Sequence, residues 1–317
     1  MKFDRHPYLL LTLAAFFWSG NFIIGRAVHT AIPPIALAFY RWSGASLLVL
    51  FPALPHLRRD WPRLAGRWPI ILVLSALGIA AFNTLVYTGL QWTQAINAFL
   101  LQSMMPVLIV AMSFLLFREP VTVRQCCGIV LSLAGAATII LQGDLTSIRS
   151  LAVNRGDLLV FVAVICYAAY SVLLRRRPFV HPLSFVAVTF ITGSLMLLPF
   201  YLWEMLGGRH AEPSSALLLA IGYVAIFPSL VSYLCYNRGV ERVGANRAGL
   251  FIHLMPVFGS LMALIFLGES LRWFHGLGIL LIAGGIFLAT RNAESSIIRG
   301  KAVSRDERNV KTEGYQK

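Results

Sequence analysis

Several residues able to bind or carry charge sit inside runs that are otherwise apolar. Arg41 lies seven residues after Pro34 in such a run. If the run is a helix, this places it about 10 Å inside the helix end. A permanent cation at that depth in a bilayer is costly unless it faces water, a partner or a solute. Its planar fork of donors suits a carboxylate, although bonds to backbone carbonyls, or snorkelling outward, satisfy it equally well. His253 is the histidine deepest in an apolar run, beside the carbonyl that Pro256 frees. It can take a proton near neutral pH or serve as a satisfied core residue. Pro106 and Pro256 each fall mid-run, and each removes a helix donor, which frees the carbonyls of Gln102 and Ile252. Two kinked helices lining a pathway are expected from that placement, with a tolerated packing kink as the plainer alternative. Trp18, Asn21, Gln102, Tyr167 and Tyr170 are too central to be headgroup anchors, and Tyr87 and Tyr236 add further polar rings. A cavity of aromatics with a few polar groups suits a small amphiphilic solute; singly, each residue could instead join two helices by a hydrogen bond.

What is missing narrows the chemistry. There is no Asp or Glu in the middle of a run. Glu119 and Glu269 stand at run ends, where pairing with Arg118, Arg124 or Arg272 across a helix junction is expected. A proton relay would therefore have to use His253 or an end glutamate. No HExxH, GxSxG or paired intramembrane aspartates occur, so an intramembrane enzyme is disfavoured. The four lysines, Lys2, Lys301, Lys311 and Lys317, all lie outside the apolar region, which excludes a P-loop or a buried Schiff base there. Cys126, Cys127, Cys166 and Cys235 lack metal-site spacing. No catalytic residue, metal or cofactor is expected.

These residues need helices to hold them. The chain of 317 residues is 58% hydrophobic and 13% charged, with mean hydropathy +0.74. A soluble domain is about a quarter charged, so most of this chain belongs in lipid. Ten spans can be drawn: 7–26, 33–53, 69–90, 94–117, 122–142, 157–175, 182–203, 215–237, 244–267 and 272–291. The net charge of +14 is explained without nucleic acid. Twenty-one Lys and Arg fall on one side of the ten spans and five on the other. The positive-inside rule then puts both termini in the cytoplasm.

The chain also repeats itself. Residues 89–135 match 239–285 without a gap, including Gly89/Gly239, Met105-Pro106-Val107/Met255-Pro256-Val257, Glu119/Glu269 and Gly135/Gly285. Five spans per half is an odd number, so the second half must enter the membrane inverted. Such duplicated halves are a mark of secondary transporters with a site near the midplane. The expected organisation is a first five-helix repeat at 1–142, a periplasmic linker at 143–156, a second repeat at 157–291 and a disordered cytoplasmic tail at 292–317. Gly-rich faces in spans 5 and 10 are expected to pack helices within each repeat or in a homodimer.

Trp18-Ser19-Gly20-Asn21-Phe22, Pro34 with Arg41, the two Met-Pro-Val triplets, Arg118-Glu119 and Gly268-Glu269 occur in an order that resembles the drug/metabolite transporter superfamily, EamA type. The resemblance covers residues 7–291. It implies an all-α membrane bundle of two inverted five-helix repeats with a central cavity. It also implies alternating access, export of small metabolites such as amino acids, and a bacterial inner membrane. Tyr167-Ala168-Ala169-Tyr170-Ser171 stands where the first half has the Trp-Ser-Gly-Asn run, so the halves differ chemically. The competing class is a non-transporting membrane protein, a receptor or assembly subunit, which explains the hydropathy but not the inverted repeat.

Overall fold

The computed structural model describes residues 6–144, 154–211, 214–267 and 272–290. Glu269, residues 145–153 of the linker and the 292–317 tail lie outside them. All regular structure among the described residues is helical. The first half runs α1 (Pro7–Ala27), α2 (Pro34–Ala65), α3 (Trp68–Ser75), a π-helical segment (Ala76–Ala81), α4 (Phe82–Gly89), α5 (Ala95–Gln102), α6 (Met105–Phe117) and α7 (Val123–Ile140). The second runs α8 (Arg155–Leu173), α9 (Pro182–Leu206), α10 (Ser215–Ala225), a π-helical segment (Ile226–Val231), α11 (Ser232–Val243), α12 (Ala245–Leu250), a 3₁₀ turn (Phe251–His253), α13 (Leu254–Leu267) and α14 (Trp273–Thr290).

Nine stretches among the described residues are long and apolar enough to cross a membrane. Residues 245–267, the remaining expected span, are helical but divided between α12, the 3₁₀ turn and α13. Two boundaries depart clearly from expectation: α11 runs past residue 237 to Val243, and α2 departs furthest. α2 does not stop at residue 53; it continues through Pro52, Pro55 and Pro62 to Ala65. Its 32 residues make a helix of about 48 Å, well beyond the hydrocarbon. The overhang carries Arg58, Arg59 and Arg63, and a second-half contact holds it. The Asp60 carboxylate accepts from the His181 backbone N–H at 2.9 Å and from the Ser184 hydroxyl at 2.8 Å.

That contact has a counterpart at the other end of the same helix pair. In α9 the Glu204 carboxylate accepts from the Ala36 N–H at 2.8 Å and the Ile35 N–H at 3.4 Å. Each helix thus uses an acid near its C-terminus to satisfy orphan donors at its partner's N-terminus. The reciprocity is what an inverted repeat requires. Trp42 of α2 and Phe190 of α9 pack between the two caps, ring centroids 4.8 Å apart.

α7 and α14 form the other extensive pairing. A Cβ on Gly128 would stand 2.6 Å from the Gly285 carbonyl oxygen, and one on Gly135 would stand 2.7 Å from that of Gly278. Residues 128 and 278, and 135 and 285, are repeat mates, so this contact is two-fold as well. The Gly-rich faces therefore join the two repeats to each other, and not helices within one repeat. Backbone approach this close needs glycine.

The packing makes a direct test. Gly135→Val should cost about 1–3 kcal/mol through overpacking and lower the thermal unfolding midpoint of the purified protein. Gly276→Ala, with nothing within 4 Å of its added carbon, should leave it unchanged.

Candidate functional site

The site is assembled where the helices are irregular. The two π-helical segments stand 150 residues apart and are both six residues long. A π turn leaves carbonyls without their usual partners, and such turns gather at functional sites. Gly78 and Pro228 are repeat mates within them. The Gly78 carbonyl accepts from the Tyr233 hydroxyl. The Pro228 carbonyl accepts from Trp18 Nε1 at 2.9 Å and from Arg41 Nη2 at 3.1 Å.

A second pair of irregularities lies at Ser103 and His253, again repeat mates. α5 ends at Gln102 and α6 begins at Met105 with Pro106 in its first turn. In the second half the 3₁₀ turn precedes α13, whose third residue is Pro256. The prolines do not bend a continuous helix: each stands in the first turn of a restarted one, where the missing N–H costs nothing. The carbonyls of Gln102 and Ile252 are not the ones that side chains reach. His253 Nε2 donates to the Ser103 carbonyl at 2.8 Å, and Nδ1 meets the Ser132 hydroxyl at 2.7 Å. Ser19 donates to the Met255 carbonyl at 3.0 Å. His253 thus bridges to the first repeat's break.

Arg41 occupies the centre and is 1% exposed. Nε donates to Ser229 Oγ at 2.6 Å. Nη1 lies against Asn21 Oδ1 at 2.7 Å, Tyr87 Oη at 2.8 Å and Asn83 Oδ1 at 2.9 Å. Tyr87 in turn donates to Asn21 Oδ1 at 2.7 Å. The guanidinium lies 4.8 Å from the Trp42 ring centroid. Every bonding partner is a neutral oxygen, and no ion pair to Arg41 occurs among the described residues. Nη1 has two N–H groups for three acceptors, while Nη2 has two for one, so an Nη2 donor is left over.

Beside Arg41 is a cavity of about 20 Å³, lined by Trp18, Asn21, Phe82, Asn83, Gln102, Met105, Tyr167, Tyr233, Ile252 and Met255. It has room for about one water. Its polar lining is rich in donors. Gln102 Nε2 is buried with no hydrogen-bond partner. The Asn83 amide and the Tyr167 hydroxyl are directed at the Tyr233 hydroxyl, so they are held within the lining. Aromatic faces close the opposite wall: Tyr167 meets Phe82 at 4.6 Å, Trp18 at 5.5 Å and Tyr233 at 6.1 Å between centroids. A cation, a spare amide donor and a ring cluster are the groups that hold a carboxylate and an apolar or cationic part, although the cavity as it stands admits only a water.

Of the residues singled out from the sequence, Trp18, Asn21, Arg41, Gln102 and Tyr167 line this cavity, and Tyr87 anchors its edge. Tyr170 and Tyr236 stand one layer away. Tyr170 donates to Asn237 Oδ1 at 2.9 Å, and Tyr236 meets the Ser171 hydroxyl at 2.9 Å. His253, Pro106 and Pro256 shape the helix breaks and do not line the cavity. Asn83, Ser229 and Tyr233 were not singled out; Asn83 is a lone amide in an apolar run, a signal that could have found it. Glu119 meets Arg175 at 3.6 Å, across the repeats, instead of Arg118 or Arg124; both side chains are about half exposed, and such a pair adds little.

Larger chambers flank the cavity. One of about 280 Å³ opens between Glu119, Arg175, Arg177 and Glu241 at the arginine-rich end of the bundle. One of about 850 Å³ opens at the other end, between His29, Trp92, Glu204 and Arg209. Neither shares a lining residue with the central cavity.

The uncompensated charge sets up a paired test. Asn83→Asp places a countercharge 2.9 Å from Arg41 and should raise the unfolding midpoint followed by tryptophan fluorescence. Asn83→Leu removes an acceptor from the buried guanidinium and should cost about 1.5–3 kcal/mol. A fall for the aspartate variant as large as for the leucine variant contradicts this electrostatic reading.

Comparison with known proteins identifies the family and the fold. The EamA-like transporter family model matches twice, over residues 6–141 and 154–291. The chain is 26% identical over 288 residues to the uncharacterized transporter YyaM of Bacillus subtilis, covering 89% of this chain and 93% of that one. It is 28% identical over 271 residues to the S-adenosylmethionine/S-adenosylhomocysteine transporter of Chlamydia muridarum, covering 82% and 84%. A solved crystal structure superposes with a TM-score of 0.74 at 20% identity, covering 91% of this chain and 98% of that one, and shows the same fold. The chain is a multi-pass membrane transporter and not an enzyme, and it belongs to the EamA-like transporter family of the drug/metabolite transporter superfamily.

Proposed function

We propose that this transporter exports small zwitterionic metabolites, amino acids or close relatives, by alternating access around the Arg41 cavity. The observation that carries the reading is a fully buried guanidinium with no acidic partner among the described residues, next to the unpartnered Gln102 amide. A solute carboxylate supplies the missing charge and takes the spare donors. An ammonium group or an apolar side chain rests on the rings of Trp18, Phe82, Tyr167 and Tyr233. The Chlamydia relative is named for solutes that carry an amino-acid end, in keeping with this class.

Arg41 ties α1, α2, α4 and the second π segment together through neutral oxygens. A carboxylate competes for those donors with a charge-assisted bond, which is about twice as strong as a neutral one. Binding thereby releases Asn21 and Tyr87, and the repeats can rock about their two-fold contacts. The arginine-rich end faces the cytoplasm in this reading, with the protein in the inner membrane and both termini inside.

The test is metabolite profiling of the medium around bacteria that overproduce the protein. Wild type should accumulate a class of carboxylate-bearing solute outside the cell. Arg41→Ala and Asn83→Asp, inserted at equal level, should each lower that accumulation about tenfold or more. Equal export by the Arg41 variant refutes the carboxylate anchor. No extracellular change with well-inserted wild type refutes export.

A further inference from the structure

The chamber at the arginine-rich end has features of a second binding site. Its volume of about 280 Å³ far exceeds the central cavity of about 20 Å³. Two buried polar groups face it without a hydrogen-bond partner, Asn237 Nδ2 and Ser113 Oγ. Their residues are 4% and 1% exposed. Unsatisfied buried groups are costly, and a native structure keeps few of them without a reason. A ligand acceptor is one such reason. Around these donors stand both signs of charge. Glu241 Oε2 holds two arginines, Arg177 at 2.8 Å and Arg238 at 2.5 Å, which leaves its Oε1 for a further cation; the Arg177 side chain is 10% exposed and that of Glu241 28%.

We infer that this chamber is a separate staging subsite for a small zwitterion, occupied before the solute reaches Arg41. The carboxylate takes the Asn237 amide, the Ser113 hydroxyl and the Arg177 guanidinium. The ammonium takes Glu241. The partition between the two sites is the Tyr170–Asn237 bond beside the Tyr236–Ser171 contact. Asn237 therefore belongs to both the subsite and the partition, and a carboxylate drawn to its amide loads the bond that keeps Tyr170 in place. The subsite rests on the reading of the chain as a carrier of zwitterions, but its residues are distinct from those around Arg41.

The test is equilibrium binding of tritiated L-amino acids, offered singly, to the full chain in lipid nanodiscs. Wild type should show two sites per chain for the best-bound amino acid. Arg41→Gln should lose one and keep one. Gln102→Leu, a second change at the central cavity, should weaken the same site and guards against misfolding of the arginine variant. Asn237→Asp keeps an acceptor for Tyr170 but replaces the amide donor with a like charge. Added to Arg41→Gln, it should weaken the remaining site about tenfold or more. One site in wild type, lost with Arg41→Gln and weakened by Gln102→Leu, overturns the subsite and leaves the transport reading standing. A remaining site indifferent to Asn237→Asp also overturns it. Absence of any amino-acid binding by wild type overturns the zwitterion reading and the subsite together.

Discussion

Lipid offers no hydrogen bonds, so every backbone group freed within the bundle must be met by the bundle itself. That constraint explains where this protein is irregular and what surrounds each irregularity. Four interruptions occur among the described residues, two per repeat, and beside each a side chain from the opposite half meets a main-chain carbonyl. Tyr233 serves Gly78, Trp18 and Arg41 serve Pro228, His253 serves Ser103, and Ser19 serves Met255. The interruptions thus cross-link the repeats at the centre. They also bring the polar groups of both halves to one place, which a pair of uninterrupted apolar helices could not do.

The same logic separates the rigid from the adaptable. At the periphery the halves meet by symmetric contacts: glycine backbones between α7 and α14, and reciprocal acid caps between α2 and α9. Nothing in these contacts depends on a solute. At the centre the symmetry is broken. Arg41 has Thr189 near its matching position, and Thr189 spends its hydroxyl on its own helix. Asn83 has Tyr233 as its mate. One half therefore brings the charge and the amides, while both bring rings, Trp18 and Phe82 from the first and Tyr167 and Tyr233 from the second. A solute with unlike ends suits a site built this way.

Much of this was legible in the sequence. Hydropathy placed most helix ends within a few residues, and the Met-Pro-Val triplets gave the register of the repeat. Arg41, Asn21, Gln102 and Tyr167 stood out because polar groups in apolar runs need a reason. Other features left no trace. The π segments read Ala76-Leu77-Gly78-Ile79-Ala80-Ala81 and Ile226-Phe227-Pro228-Ser229-Leu230-Val231, which share no identical position. Their equivalence is one of backbone geometry, and periodicity cannot register a turn widened by one residue. The length of α2 was hidden for a different reason: hydropathy reports where lipid ends, and Asp60 keeps the chain helical beyond that point. The glycine faces were visible, but their partner was not, since a small-residue stripe does not say what packs on it.

Counterflow in proteoliposomes tests the central claim most directly. Vesicles loaded with an unlabelled amino acid exported by the cell are diluted into a trace of the labelled one. Alternating access through one Arg41-centred site predicts transient accumulation of label above its equilibrium level, lost in Arg41→Gln at equal insertion. Label that only ever approaches equilibrium, or an overshoot that survives the loss of Arg41, contradicts the account.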